Sequence, residues 1–285
     1  GGEQWHRPLL NLSDYGHPLL ATLAVLTATA LGTMGLPHVL MRFHTSPDGR
    51  SARRTAAFTV ALLGIFYLFP GIYGALGRVL VPELYLSGVT DTVVVALPSR
   101  VSDAWVGTLM TTLLSVGAFA AFLATSVGLL LVISGAISYD LLPGGLRRLR
   151  ITVLLAAAVM VLLALPAAPL AAGMLVTWGF TVAASTFCPL LVLGIWWPRL
   201  TKAGAVSGVL VGLFSTLGAI AVALFGPPLA GWQAILITQP APWTVPLAFA
   251  TMVVVSLRGQ APPWSRTAML RLHLDEPPRD TPLGR

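Results

Sequence analysis

The charged positions of this chain are bunched, and long uncharged stretches separate them. No Asp, Glu, Lys or Arg occurs in 15–41, 55–77, 104–139, 151–198 or 203–257, stretches of 27, 23, 36, 48 and 55 residues. An α-helix needs about 20 apolar residues to cross a bilayer. The first three stretches each hold one such helix. The fourth is divided by Pro166-Ala167-Ala168-Pro169, and the fifth by Gly226-Pro227-Pro228 and Gln239-Pro240-Ala241-Pro242. Clusters of this kind interrupt helices, so these two stretches hold two helices each. The pattern predicts seven spanning helices, over roughly 18–42, 55–77, 105–138, 150–165, 170–197, 203–225 and 241–257. The expected fold class is an all-α polytopic membrane protein. Residues 1–258 form its transmembrane domain, and 259–285 form a polar, Pro-rich tail expected to be disordered.

Composition agrees. Of 285 residues, 56% are hydrophobic and 9% are charged, against about a quarter charged in a soluble domain. The expected environment is the lipid bilayer. The net charge of +7 raises the question of nucleic acid, but the basic residues sort by loop. On one side stand Arg42, Arg50, Arg53, Arg54, Arg147, Arg148, Arg150, Arg199, Lys202 and the tail arginines, fourteen in all. On the other stand only Arg7, Arg78 and Arg100. That asymmetry is the positive-inside pattern. It implies an outside N-terminus, a cytoplasmic tail, residence in the plasma membrane, and no nucleic-acid partner. Cys188 is the single cysteine, so there is neither a disulfide framework nor a metal cluster. The chain begins Gly1-Gly2-Glu3 without a signal-peptide pattern, which reads as a fragment.

Three local features qualify this plan. The outside loop 78–104 mixes Arg78, Glu83, Asp91, Arg100 and Asp103, as expected of a cap or gate segment with a short helix. Helix 105–138 exceeds what a bilayer requires, so it tilts or protrudes. Helix 18–42 holds Gly32, Gly35 and Pro37 within six residues. Such a cluster either breaks the helix to build a binding site, as in many secondary transporters, or marks a proline kink with tight packing.

Two segments carry a resemblance. The first is Gly32-Thr33-Met34-Gly35-Leu36-Pro37-His38-Val39-Leu40-Met41-Arg42-Phe43. The second runs Gly194-Ile195-Trp196-Trp197-Pro198-Arg199, then Lys202-Ala203-Gly204-Ala205, Gly208 and Gly212. Both resemble the sodium:solute symporter family. The second is similar to its C-terminal signature, departing at Phe214, where a smaller aliphatic is usual. The first is most similar to the cation/acetate branch, which also includes pyruvate and propionate carriers. Between them, Ser134-Gly135-Ala136-Ile137-Ser138-Tyr139-Asp140-Leu141 resembles the end of the family's sodium-site helix. The resemblance covers roughly 15–258.

The resemblance implies a fold of about thirteen helices built on inverted repeats, like the leucine transporter. This chain would supply the second repeat plus two C-terminal helices. Its partner would be the N-terminal half of the same transporter. The implied function is symport of a small solute, a short monocarboxylate such as acetate, coupled to sodium or protons and needing no organic cofactor. Counting back from Asp140, the family's sodium positions fall on Ala121, Ala124 and Thr125. Ala124 has no hydroxyl, and Ser126 stands beside the set. Thr125 and Ser126 either bind the ion or bond back to the helix carbonyl four residues earlier. The implied substrate site lies at the helix break (Gly32, Thr33, Gly35, Pro37) and on helix 170–197 (Thr181, Ser185, with Trp178 and Thr186 nearby). Those hydroxyls either bind substrate or close helix–helix contacts. His38, Arg42 and Asp140 are candidate gating residues. His38 is also a candidate proton relay, Arg42 a positive-inside anchor, and Asp140 a surface ion-pair partner. Two further readings are a symporter-like sensor module and a symporter for proline, pantothenate or a sugar. A membrane enzyme needs paired carboxylates or a nucleophile with a base at membrane depth, and every Asp and Glu falls in a loop or the tail.

Overall fold

The computed structural model describes residues 16–36, 48–86, 92–102, 105–141, 145–167 and 170–260, together with 263, 265, 267 and 269; for 85, 86 and 139–141 it describes the backbone alone. Every regular element among these residues is helical. They are α1 (Pro18–Gly35), α2 (Gly49–Leu80), α3 (Pro82–Leu86), α4 (Val93–Val101), α5 (Trp105–Gly135), a π turn (Ala136–Leu141), α6 (Gly145–Ala167), α7 (Ala172–Trp196), α8 (Lys202–Phe225), α9 (Gly231–Thr238) and α10 (Ala241–Arg258). Seven of them, α1, α2, α5, α6, α7, α8 and α10, are long and apolar enough to cross a membrane. The chain is an all-α polytopic membrane protein, as its charge-free stretches imply.

The ends of the helices correct the expectation in three places. α1 stops at Gly35, and residues 37–42 lie outside the described residues. Leu36 is extended (φ −71°, ψ 117°), because the residue before a proline is pushed out of the helical region. α2 starts at Gly49, well before 55, since the Asp48 carboxylate accepts from the Ser51 N–H at 2.6 Å and caps the helix. α6 likewise starts at Gly145, carrying Arg147, Arg148 and Arg150 in its first turns. The uncharged stretch marks the part of a helix that suits lipid, and the cap marks where the helix begins.

The chain divides into two compact units, 1–40 with 173–285 and 41–172. The first unit holds α1, α7, α8, α9 and α10. Lipid offers no hydrophobic drive between helices, so close backbone approach must hold them together. Small residues permit it. α1 buries Ala21, Ala24, Ala28, Gly32 and Gly35 along one stripe. Ala28 meets Ala184 of α7 and Ala241 and Val245 of α10, and Ala21 and Ala24 meet Ile235 of α9. α8 buries Gly204, Gly208, Gly212 and Thr216, each four residues from the last. A Cβ on Gly204 or Gly208 would collide with Ser256 or Met252 of α10. The spaced glycines of the C-terminal signature are therefore a packing seam. Thr201 closes one end of it. Its hydroxyl accepts from Gly204 N–H at 3.1 Å, and its own N–H donates to Ser256 Oγ at 3.2 Å. The short helix α9, between the two Gly/Pro dividers, was not expected from the sequence. Gly231 opens it at φ +62°, a conformation that favours glycine.

The second unit holds α2 to α6. The segment 78–104 contains two short helices, α3 and α4, joined by an ion pair between Arg100 and Glu83 at 2.9 Å; Asp91 and Asp103 lie outside the described residues. α4 packs on α2 and α5, and α6 packs on α5 and the π turn.

Candidate functional site

The candidate substrate residues belong to the first unit. α7 is its most buried helix, burying Thr177, Trp178, Thr181, Ala183, Ala184, Ser185, Thr186, Cys188 and Pro189. α1 lies directly on it. A Cβ on Gly32 would meet the carbonyl oxygen of Phe180 and come within 2.8 Å of its Cα; one on Gly35 would lie 2.6 Å from Ala183 O and 3.1 Å from Cys188 N. Both glycines thus face the backbone of α7, in the packing role that was one of their two readings. Thr33, by contrast, is exposed and donates to Thr29 O at 2.6 Å. Pro37, His38 and Arg42 lie outside the described residues.

Thr181 and Ser185 are fully buried. Thr181 donates to Thr177 O at 2.8 Å. Ser185 Oγ is 2.7 Å from Thr244 Oγ1 of α10, and Thr244 gives its own proton to Pro240 O at 2.9 Å. Ser185 is therefore the donor in the pair. Nearby, the Trp178 indole donates to Thr238 O at 2.8 Å, and the Gln239 amide to Thr177 Oγ1 at 3.4 Å. Gly32 and Gly35 stand where α1 meets α7, while the Thr181 hydroxyl is used within α7 and that of Ser185 joins α7 to α10. The sequence reading missed Thr244, Gln239 and Ser256. The signal for Thr244 and Ser256 is their place in one stripe of α10 with Ala241, Ala248 and Met252, at helical spacing; Gln239 precedes that helix.

The described end of α1 also bears on chemistry. A helix C-terminus presents unpaired carbonyls and a partial negative charge.

The candidate ion residues belong to the second unit, on α5. Ala121, Ala124, Thr125 and Ser126 are all exposed. Thr125 Oγ1 donates to Ala121 O at 2.9 Å. That bond uses the hydroxyl proton and leaves the oxygen lone pairs available to a cation. The backbone of Asp140 lies in the π turn; its side chain is outside the description. Cavities among the described residues lie elsewhere. One, of ≈ 290 Å³, lies between α2 and α4 and is lined by Pro70, Tyr73, Gly77, Arg78 and Val93. Another, of ≈ 400 Å³, lies where α8 turns into α9, beside Val222, Pro227, Pro228 and Thr238. Neither includes a candidate residue. Among the described residues no group of His, Cys, Asp and Glu is arranged to hold a metal ion.

Long apolar helices, joined in the first unit by small residues and buried hydroxyls, define a polytopic membrane protein. Residues 10–212 match the sodium:solute symporter family, and the chain belongs to that family, one of transporters and not of enzymes. It is 30% identical over 268 residues to a protein of Corynebacterium glutamicum named monocarboxylic acid transporter; the alignment covers 87% of this chain and 48% of that protein. The chain thus spans about half the length of this curated relative. No solved structure matches it.

Proposed function

We propose that this chain is the C-terminal half of a plasma-membrane symporter that carries a short-chain monocarboxylate such as acetate, driven by sodium or protons. The observation that carries this reading is membership of the symporter family together with similarity to a protein named for monocarboxylic acids. Loop charge supports a cytoplasmic tail and an outside N-terminus.

Burial supports a missing partner. The most apolar stretches of the spans in the first unit are 22–44% buried, whereas in α2, α5 and α6 no such residue is buried. Those three helices therefore offer whole faces to lipid or to an N-terminal half. Thr125 stands on one of these uncovered faces, where ligands from the other half would complete an ion site with Ala121, Ala124 and Ser126. Position 124 carries no hydroxyl, which keeps proton coupling as the second reading. The substrate carboxylate would sit at the end of α1, near Gly32, Thr33, Gly35 and Pro37, with Thr181 and Ser185 behind. His38, Arg42 and Asp140 would gate the cytoplasmic side.

The test is uptake of radiolabelled acetate by the complete transporter in proteoliposomes, under imposed sodium or proton gradients. Gradient-driven accumulation competed by pyruvate or propionate is expected. Folded protein that accumulates acetate under neither gradient would overturn the monocarboxylate reading.

A further inference from the structure

Hydroxyls buried in a membrane helix nearly always find a partner, and each exception needs an explanation, such as a water or an ion. Ser134 and Ser138 are two such exceptions. They are 0% and 2% exposed, and neither Oγ has a hydrogen-bond partner. A serine in this setting ordinarily donates to the carbonyl four residues back, as Thr125 does. These two lie four residues apart and so share a face.

The backbone around them is rich in acceptors. α5 ends in the π turn Ala136–Leu141. Bonding from i to i+5 leaves the last carbonyls of such a turn without partners inside the turn itself. The C-terminus of a helix carries about half a negative elementary charge, and neither α5 nor the π turn has a basic residue in its last turn. Arg147 and Arg150, which follow, are exposed on α6. Two buried hydroxyls thus stand at the negative end of a helix, and the turn there also carries Asp140. Such a set suits a hard cation of low charge better than an anion.

We propose that Ser134 and Ser138, with carbonyls of the π turn, bind a sodium ion at a site separate from the one proposed above at Ala121, Ala124 and Thr125. Thr125 and Ser134 are nine residues apart, which at about 3.6 residues per turn is about two and a half turns and about 14 Å of rise. They therefore stand on opposite faces of α5, one exposed and one buried. The identity of the ion rests on the cation-coupled function proposed above.

The experiment measures radiosodium binding to the purified complete transporter, with Ser134→Ala, Ser138→Ala and the double variant, and Ser134→Thr as the hydroxyl-retaining control. The double variant is expected to bind one sodium fewer per transporter than the unchanged protein, and the control the same number. In sodium-free buffer the double variant should melt no lower than the unchanged protein, because it removes hydroxyls that have no partner. In sodium, its gain in melting temperature should be smaller. Unchanged binding stoichiometry in the double variant, alongside sodium-driven uptake by the unchanged transporter, overturns this proposal alone. A lower melting temperature without sodium also overturns it, since the hydroxyls would then be structural. An unchanged transporter that binds no sodium overturns it together with the sodium reading.

Discussion

Replacing Gly212 with alanine puts a methyl group where two helices already press. Its Cβ would overlap the carbonyl oxygen of Ser185 in α7, lie 2.8 Å from that residue's carbonyl carbon, and lie 3.2 Å from Ala248 Cβ in α10. Ser185 and Ala248 are both fully buried. The obstacle is backbone, not the end of a flexible side chain, so the cost falls at the upper part of the overpacking range, about 3 kcal/mol. Alanine returns about 1 kcal/mol through its better helix propensity, leaving a net loss of about 2 kcal/mol. Gly218 on the same helix is the control, since a Cβ there meets nothing within 4 Å. Gly218→Ala should gain up to about 1 kcal/mol. The two variants should thus differ by about 3 kcal/mol, more than a hundredfold in the unfolding equilibrium. Reversible unfolding in mixed micelles with rising dodecyl sulfate, followed by circular dichroism, measures the difference. A Gly212→Ala protein as stable as Gly218→Ala would refute the account of α8 as a helix wedged between α7 and α10.

Three further outcomes are expected. Ser185→Ala removes the donor to Thr244 and should cost about 0.6 kcal/mol, the average for such bonds within membranes; a rise in the KM for acetate out of proportion to that loss would assign Ser185 to the substrate site, and an unchanged KM would confine it to packing. Ser256→Ala deprives the Thr201 N–H of its acceptor at the start of α8 and should lower stability by about 1 kcal/mol; an unchanged unfolding midpoint would show that the contact carries no energy. Thr125→Ala should raise the sodium concentration needed for half-maximal uptake, and uptake that lacks sodium dependence before and after the change would remove Thr125 from any sodium site.

The number and order of the spans were legible because a charge in hydrocarbon is costly, so Arg42, Arg78, Asp103, Arg150 and Arg258 bracket the apolar stretches from outside. Helix ends were less legible. The cap at Asp48 lies in polar sequence that hydropathy does not parse, and α9 is too short, at Gly231–Thr238, to register between two proline clusters. At the candidate site the sequence placed Thr181 and Ser185 on one face, which follows from their spacing of four. It left open what that face meets, because Thr244 stands 59 residues away. The missing partners of Ser134 and Ser138 were equally invisible. Whether a hydroxyl has a partner depends on three-dimensional neighbours, and nothing in its own segment records it.

The hydroxyls of α7 also limit where a carboxylate can sit. Thr181 gives its proton to Thr177 O, and Ser185 gives its proton to Thr244. A substrate oxygen would have to take those protons away, or α10 would have to part from α7. Parting costs more than the hydroxyl bond itself, because α10 is also tied to α8 through Gly204, Gly208 and Ser256. Rotating one hydroxyl costs about as much as the bond it breaks, about 0.6 kcal/mol, and that is small enough for a substrate contact to repay. If the proposed carboxylate substrate reaches Thr181 or Ser185, it does so by rotation of their hydroxyls and not by separation of the helices.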